Sequence, residues 1–151
     1  MCRMFLVLLA CVTWSLAGQA GSATIKKVLP SYLDEQGRQS LSPSLYERDA
    51  YQALLRTHPE QISTLRFDVN WKARGFRHDT LVLRLELRSS GTDVAEPIVL
   101  ERPVRAPHFF SAWSSIRLDP EQYTALRHLS AWRASLWRGN ELLAEQKSFL
   151  W

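Results

Sequence analysis

A strict two-residue alternation of apolar and polar side chains runs through the centre of the 151-residue chain. Over 65–74 every second residue is apolar, and charged or amide residues fill the positions between. The segment 81–88 repeats the pattern with four leucines. Because successive side chains of a strand point to opposite faces, this period predicts strands that are buried on one face only. Half-buried strands of this kind are typical of antiparallel sheets, and the pattern lacks the long intervening helices of a parallel α/β fold.

The rest of the chain adds shorter strands and one clear helix. Further strands are predicted over 24–33, 97–104, 112–118, 129–137 and 142–151. Gly139-Asn140 predicts a tight hairpin between the last two of them. A helix is predicted over 45–58, because Ser44-x-x-Glu47 matches a capping box and Pro59 ends the helical pattern. Its apolar face carries Tyr46, Ala50, Ala53 and Leu54, with Tyr51 and Leu55 beside them, and we expect one face of the helix to pack on the sheet.

These elements predict a mostly β chain that folds as a sandwich or an open barrel, with one domain over 24–151. The segment Leu118-x-Pro120-x-x-Tyr123 is similar to the proline–tyrosine corner of fibronectin type III and immunoglobulin-like domains. In those families the tyrosine hydroxyl bonds back to the backbone of the corner. The resemblance therefore favours a single antiparallel β-sandwich of the immunoglobulin or fibronectin III type, with the helix 45–58 near its N-terminus. It implies no functional residues.

The first 23 residues have the features of a bacterial-type secretory signal peptide. Arg3 gives a basic start, 4–17 is an apolar run of 14 residues, and small residues follow as far as Ala23. A membrane-spanning helix needs about 20 apolar residues, so this run is too short to span. We therefore expect export to the periplasm or the extracellular space, with cleavage after Ala20 or Ala23.

Both cysteines of the chain, Cys2 and Cys11, lie in this leader. The segment Leu8-Leu9-Ala10-Cys11 also resembles a bacterial lipobox, so an alternative is a lipid-modified Cys11 that anchors the protein to a membrane. The plain cut is favoured, because the apolar run continues beyond Cys11. The remainder of the chain has no cysteine, which excludes disulfides, thiolate nucleophiles and cysteine metal sites from it.

Charge and motifs favour a domain that binds rather than one that catalyses. Without Arg3 the chain has 18 Lys and Arg against 15 Asp and Glu, and the net charge of +3 is spread without basic runs. Nucleic acid is therefore not expected as a partner, and an anionic envelope polymer is at most weakly favoured. Neither a nucleophile elbow nor a phosphate-binding glycine loop occurs. His58, His78, His108 and His128 are too far apart to indicate a metal site. We expect no cofactor and no metal.

Tryptophan is the unusual component of the predicted strands. These strands contain Trp71, Trp113, Trp132, Trp137 and Trp151. Because Trp132 and Trp137 are five residues apart on one strand, they must point to opposite faces. Trp132 shares its face with Leu136, which indicates the core, whereas Trp137 shares its face with Arg133. We therefore predict that Trp137 is an exposed indole with Trp151 beside it, and that the two form a binding site.

The expected function is that of an exported cell-envelope domain without catalysis. It would bind an envelope protein or polysaccharide, or serve as a structural accessory. One alternative is a carbohydrate-binding module that uses exposed tryptophans, and another is an envelope enzyme whose residues form no linear motif. The apolar chain end at 148–151 is a further candidate surface, because a final strand is either paired inside the sandwich or offered to a partner.

Overall fold

The computed structural model of the protein describes residues 21–90, 96–108, 110–126 and 128–151. Most of the expected signal peptide, including Cys11 and the candidate cleavage site at Ala20, lies outside these residues. The strands are β1 (Ser22–Asp34), β2 (Ile62–Arg74), β3 (Thr80–Ser89), β4 (Ile98–Arg105), β5 (Ala112–Arg117), β6 (Leu129–Arg138) and β7 (Glu141–Lys147). The helices are α1 (Leu45–Thr57) and α2 (Pro120–Leu126), and a 3-10 turn covers Pro59–Gln61. Within these ranges no helix has the length and apolar character needed to cross a membrane.

The strands form two antiparallel sheets, as the alternation predicts. One sheet has the order β1-β2-β5 and the other has the order β4-β3-β6-β7. The two sheets share one core, to which β2 contributes Phe67 and Trp71 and β3 contributes Leu83 and Leu85. At one side of the sandwich β1 lies against β7. The mostly β architecture with two facing antiparallel sheets is therefore confirmed.

The alternation of β2 and β3 places one face of each strand in this core. Phe67 and Trp71 are fully buried, and the Trp71 indole N–H donates a 2.9 Å hydrogen bond to Ser114 Oγ on β5. The charged residues between the core positions lie on the opposite, outer face of each sheet. A buried indole N–H normally needs a partner, and Ser114 supplies it across the strand pair.

Helix α1 does not bury the face that the sequence indicates. Tyr46 is 84% exposed and Leu54 is 43% exposed, whereas Gln52 and Leu55 are buried. The Gln52 amide accepts a 2.8 Å hydrogen bond from the Tyr32 N–H and donates a 2.9 Å bond to the Tyr32 carbonyl. These two bonds satisfy the backbone of β1 at its open edge, where no strand pairs with it. The rotation of the helix is therefore set by a polar contact. Leu55, at the margin of the expected face, packs inward, whereas Tyr46 and Leu54 at its centre do not.

The connection from β5 to β6 differs from the corner that the resemblance implies. Leu118 is fixed to β2, since its N–H donates to the Leu65 carbonyl and its carbonyl accepts from the Thr64 hydroxyl. Tyr123 then lies inside α2, half-buried. Burial, together with the nearby Tyr32, raises the pKa of its hydroxyl. Among the described residues no hydrogen bond joins this hydroxyl to the backbone of the corner.

One carbonyl on the edge strand β5 and the end of β6 have partners outside the strand pairing. Arg102 on β4 reaches across to β5, where its guanidinium donates to the main-chain carbonyl of Ser115. Strand β7 ends at Lys147, earlier than predicted, because 148–151 forms a turn instead. Ser148 still pairs with β6: its N–H donates to the Trp132 carbonyl and its Oγ accepts from the Trp132 N–H. The chain end is therefore paired on the β6 side.

Candidate functional site

A group of basic side chains lies at one end of the β1-β2-β5 sheet, on its outer face. The alternation of β2 places Lys72 and Arg74 on this face, opposite Thr24 and Ser22 of β1. Lys26 occupies a register shift in β1, where the pairing skips from Ile25 to Lys27. A bulge of this kind re-aims the side chain of the extra residue. The positive charge of Lys26 acts on the Lys72 amine, so the two side chains are electrostatic neighbours.

A cavity of about 620 Å³ opens at the same end of the sandwich. Its wall combines the end of β2 with the turn to β3 and with the β4–β5 connection. The basic and aromatic residues of the wall are Lys72, Arg74, Arg77, His78, His108 and Phe110. Asp79 is the one carboxylate among the described lining residues, and its Oδ2 lies 3.5 Å from Nη1 of Arg138. The cavity is therefore strongly cationic.

Three of the positive charges of this region, those of Lys26, Lys72 and Arg74, lie together without ion-pair partners among the described residues. Partial burial lowers the pKa of Lys72, and the charges of Arg74 and Lys26 lower it further. Like charges held together destabilise the free protein, and an anion bound between them removes that repulsion. Such clusters are therefore candidate sites for anionic ligands.

Two exposed aromatic side chains adjoin the cations. Phe110 is 82% exposed in the β4–β5 connection, and Trp113 is 55% exposed on the edge strand β5. Trp113 lies directly opposite Asn70 of β2, so Lys72 is its diagonal neighbour on the same face. Side chains in this relationship are about 7–8 Å apart, within reach of one ligand. We call this end of the molecule the basic pole; its members are Lys26, Lys72, Arg74, Arg77, Phe110 and Trp113.

The sequence did contain a signal for the exposed Trp113. Ser115 and Arg117 follow it at two-residue intervals, and Ile116 and Leu118 occupy the alternate positions. In the structure Ile116 and Leu118 are buried, and Trp113 lies with Ser115 and Arg117 on the outer face. The period of β5 thus identifies its indole as outward-facing by the same argument that was applied to Trp137.

Trp137 lies on the outer face of the other sheet, as expected, but its ring is covered. The guanidinium carbon of Arg84 lies 4.8 Å from the ring centroid of Trp137. The Trp137 indole N–H donates a 2.8 Å hydrogen bond to Ser135 Oγ. The indole is therefore half-buried and held by its own chain. Trp132 packs against the core from the opposite face of the strand, as predicted.

Trp151 is also covered, and its arginine partners differ from the arginine that covers Trp137. The guanidinium carbons of Arg88 and Arg133 lie 4.0 Å and 4.9 Å from its ring centroid. Arg133 precedes Trp137 by four residues on β6, which is about 13 Å along an extended strand. The two tryptophans of the predicted site therefore occupy separate positions on one sheet. Each is stacked with arginine, an arrangement that stabilises the sheet surface.

Between these tryptophans, arginines on the outer face form ion pairs with carboxylates of neighbouring strands. Arg133 donates two hydrogen bonds to Glu86, of 2.6 Å and 2.8 Å, and Arg84 donates one of 2.7 Å to Glu101. The hydrogen bond from Arg133 holds the pKa of Glu86 below its ordinary value, against the opposing effect of burial. Arg84 and Arg133 on this face already have carboxylate partners, whereas Lys26, Lys72 and Arg74 of the basic pole have none among the described residues.

The other chemical groups of the domain are dispersed. In the described part of the chain, no three His, Cys, Asp or Glu side chains lie close enough together to hold a metal ion. Of the four histidines, His78 and His108 line the basic cavity, whereas His58 caps the end of α1. The chain matches no protein-family model and no curated protein sequence. Function must therefore be argued from the geometry of the basic pole.

Proposed function

We propose that the protein is an exported, non-catalytic binding domain of the cell envelope, and that it holds an anionic envelope component at the basic pole. The observation that carries this proposal is that Lys72 and Arg74 line one cavity, with Lys26 beside Lys72, and that none of the three has an ion-pair partner among the described residues. An anionic ligand would remove their mutual repulsion and gain charge-assisted hydrogen bonds. The adjoining aromatic rings would contribute apolar contact area.

We further propose that the sandwich is of the immunoglobulin or fibronectin III type. The facing orders β1-β2-β5 and β4-β3-β6-β7 support this. If the strands are lettered in sequence with β4 as C′, they correspond to A-B-E against C′-C-F-G. In sandwiches of this class the ends gather loops from both sheets, and binding sites are built there. The basic pole occupies such an end. The function itself is argued from the site and not from the fold.

Export with cleavage after Ala20 fits this domain better than cleavage after Ala23. Strand β1 begins at Ser22, where Ser22 pairs with Arg74 and Ala23 pairs with Ala73. A cut after Ala23 would remove both pairs and loosen the backbone that carries Arg74. A cut after Ala20 keeps the whole strand.

The proposal is tested with heparin as a polyanion probe, by the salt concentration needed to elute the protein from a heparin column. We expect Lys72→Glu/Arg74→Glu to elute at much lower salt than the unmodified protein. The matched control is Arg117→Glu/Lys147→Glu, which makes the same change in net charge at exposed positions away from the basic pole. Equal shifts for the two double variants would mean that only net charge matters, and the proposed site would be wrong.

A second candidate function is carbohydrate binding, and the exposure of Trp113 favours it. An indole that is 55% exposed can stack on a sugar ring, whereas Trp137 and Trp151 are covered by arginine. Electrophoresis through gels that contain a neutral polysaccharide separates the two functions. Retardation that persists at high salt and is lost in Trp113→Ala would favour carbohydrate binding. Trp137→Ala is the control, and retardation by neutral sugar is not expected under the anionic-ligand proposal.

A further inference from the structure

Gly21, the first residue that the structure describes, lies beside the β2–β3 turn of the basic pole. Gly75, in the turn from β2 to β3, has a φ of 86°, and a Cβ placed on it would lie 3.0 Å from the Gly21 Cα. The next residue, Phe76, lies with its ring against Gly21, so that any side chain at position 21 would overlap the ring. Arg138 in turn lies over the Phe76 ring, 5.1 Å from its centroid. Gly21 is therefore fixed beside the turn that carries Arg77 and His78.

This position matters because of the segment that precedes Gly21. If Cys11 is lipid-modified, the nine residues 12–20 would span at most about 30 Å, and the basic pole would be the part of the domain nearest the bilayer. If the chain is instead cut after Ala20, the new amino group of Gly21 adds a positive charge to the same pole. The first route would turn the basic pole towards the bilayer, and the second would add one positive charge to it.

The aromatic side chains of the basic pole are also of a kind that contacts membrane surfaces. Phe110 is 82% exposed in a connection between two strands, and Arg74 and Arg77 line the cavity with it. Aromatic side chains next to cations are typical of proteins that bind at the membrane interface, where the ring enters the head-group region and the cations pair with lipid phosphates. A ring without a polar edge gains more from that apolar boundary than from the hydroxyls of a glycan.

We infer that the basic pole docks on the surface of an anionic phospholipid bilayer. Phe110 enters the head-group region, Lys72 and Arg74 face lipid phosphates, and Trp113 lies at the edge of the contact. This inference rests on the proposed function and narrows its ligand from any envelope anion to an anionic lipid surface. An anionic polysaccharide is the alternative that the experiment must separate.

The experiment is co-sedimentation of the full chain with vesicles of phosphatidylcholine alone or of phosphatidylcholine with phosphatidylglycerol, at low and high salt. The leader is present in every sample, so the readout is the difference between the two kinds of vesicle. We expect a preference for phosphatidylglycerol that falls with salt. Because cations near an anionic surface each contribute to binding, Lys72→Glu/Arg74→Glu should weaken it on the order of tenfold or more. The control Arg117→Glu/Lys147→Glu should keep most of the preference.

Two further variants serve as additional tests of vesicle binding. Lys26→Glu changes a single exposed side chain and serves if the double variant does not fold, as judged by near-ultraviolet circular dichroism. Phe110→Ser should weaken vesicle binding and leave elution from heparin unchanged, because heparin offers no apolar interface. If Lys72→Glu/Arg74→Glu weakens heparin binding but leaves vesicle binding unchanged, the lipid inference is wrong and the proposed function stands. If it changes neither, both are wrong.

Discussion

The Tyr51 hydroxyl donates a 2.7 Å hydrogen bond to Oδ2 of Asp34, and this bond links helix α1 to the end of β1. Asp34 is only 3% exposed. Arg38 completes its environment, donating 2.8 Å bonds from its backbone N–H and from Nε. Burial alone would raise the pKa of Asp34, but the donors from Arg38 and Tyr51 outweigh it and hold the pKa below the ordinary value of 3.8. The carboxylate is therefore stabilised in its charged form.

The first prediction concerns acid unfolding. A carboxyl group whose pKa is lowered on folding stabilises the protein fully above its unfolded-state pKa, and the stabilisation is lost as pH falls through the folded-state pKa. Tyr51→Phe removes one donor and moves the pKa of Asp34 back towards its ordinary value. We expect a loss of about 1.5–3 kcal/mol in the free energy of unfolding at neutral pH. This loss should shrink as the pH falls below 3.8.

Urea unfolding at a series of pH values measures this, with Tyr46→Phe as the control on the same helix. Tyr46 is 84% exposed, so its hydroxyl can exchange its bonds with water, and its removal should change little. A constant difference between Tyr51→Phe and the unmodified protein at every pH would contradict the electrostatic role of the bond.

The second prediction concerns the face of α1 that packs. Leu55 is fully buried and its neighbour Leu54 is 43% exposed. Leu55→Ala should therefore lower the free energy of unfolding by about 2–5 kcal/mol. Leu54→Ala should change it by less than about 0.5 kcal/mol. Chemical denaturation of both variants compares them directly, and the reverse ranking would restore the face that the sequence indicates.

The third prediction separates the buried indole from the exposed one. Trp71→Ala should cost about 3–5 kcal/mol, because it opens a cavity in the core and leaves Ser114 without its donor. Trp113→Ala should lower stability by less than about 0.5 kcal/mol, because much of its indole already contacts water. Thermal melts followed by circular dichroism give both values. A large loss on Trp113→Ala would show that this indole is structural and remove it from the basic pole.

The fourth prediction is the identity of the mature N-terminus. Since β1 starts at Ser22 and Gly21 packs against Phe76, we expect the exported protein to begin at Gly21. Intact-mass spectrometry of protein recovered from cells measures this. A start at Thr24 would contradict the pairing argument, and a diacylglycerol on Cys11 would move the protein to the lipoprotein route. A chain that still carries Met1 would contradict processing altogether.

The sequence predicted the structure best in strands whose two-residue alternation of side chains matches the burial of one face. Strands β2 and β3 alternate because each has one face in the core, and the period alone gives the face of every residue, including Phe67 and Leu83. The face of α1 could not be obtained in this way. It depends on the bonds of Gln52 to the Tyr32 backbone, which lies twenty residues away and has no signature in the helical pattern.

The candidate site was harder to predict, because its parts come from distant segments. Lys72 and Arg74 were correctly placed on a polar strand face, where solvation is the ordinary reason for charge. They come close to Phe110 only because the chain passes to the other sheet through β3 and β4 and then returns in β5. No spacing in the sequence indicates this path. The covering of Trp137 by Arg84 is likewise a contact between strands, so the alternation predicted the face of the Trp137 side chain but not its exposure.

The hydrogen bond from Arg102 to the Ser115 carbonyl affects how the edge strand β5 can pair with a second molecule of the protein. An open sheet edge offers main-chain groups on which another molecule can add a strand, and growth by repeated addition ends in aggregates. On β5 one such carbonyl is already occupied by a guanidinium that is anchored on the opposite sheet. A protein concentrated on a two-dimensional surface meets its own copies far more often than one in free solution. With that position occupied, β5 offers one main-chain acceptor fewer to a strand of a neighbouring copy.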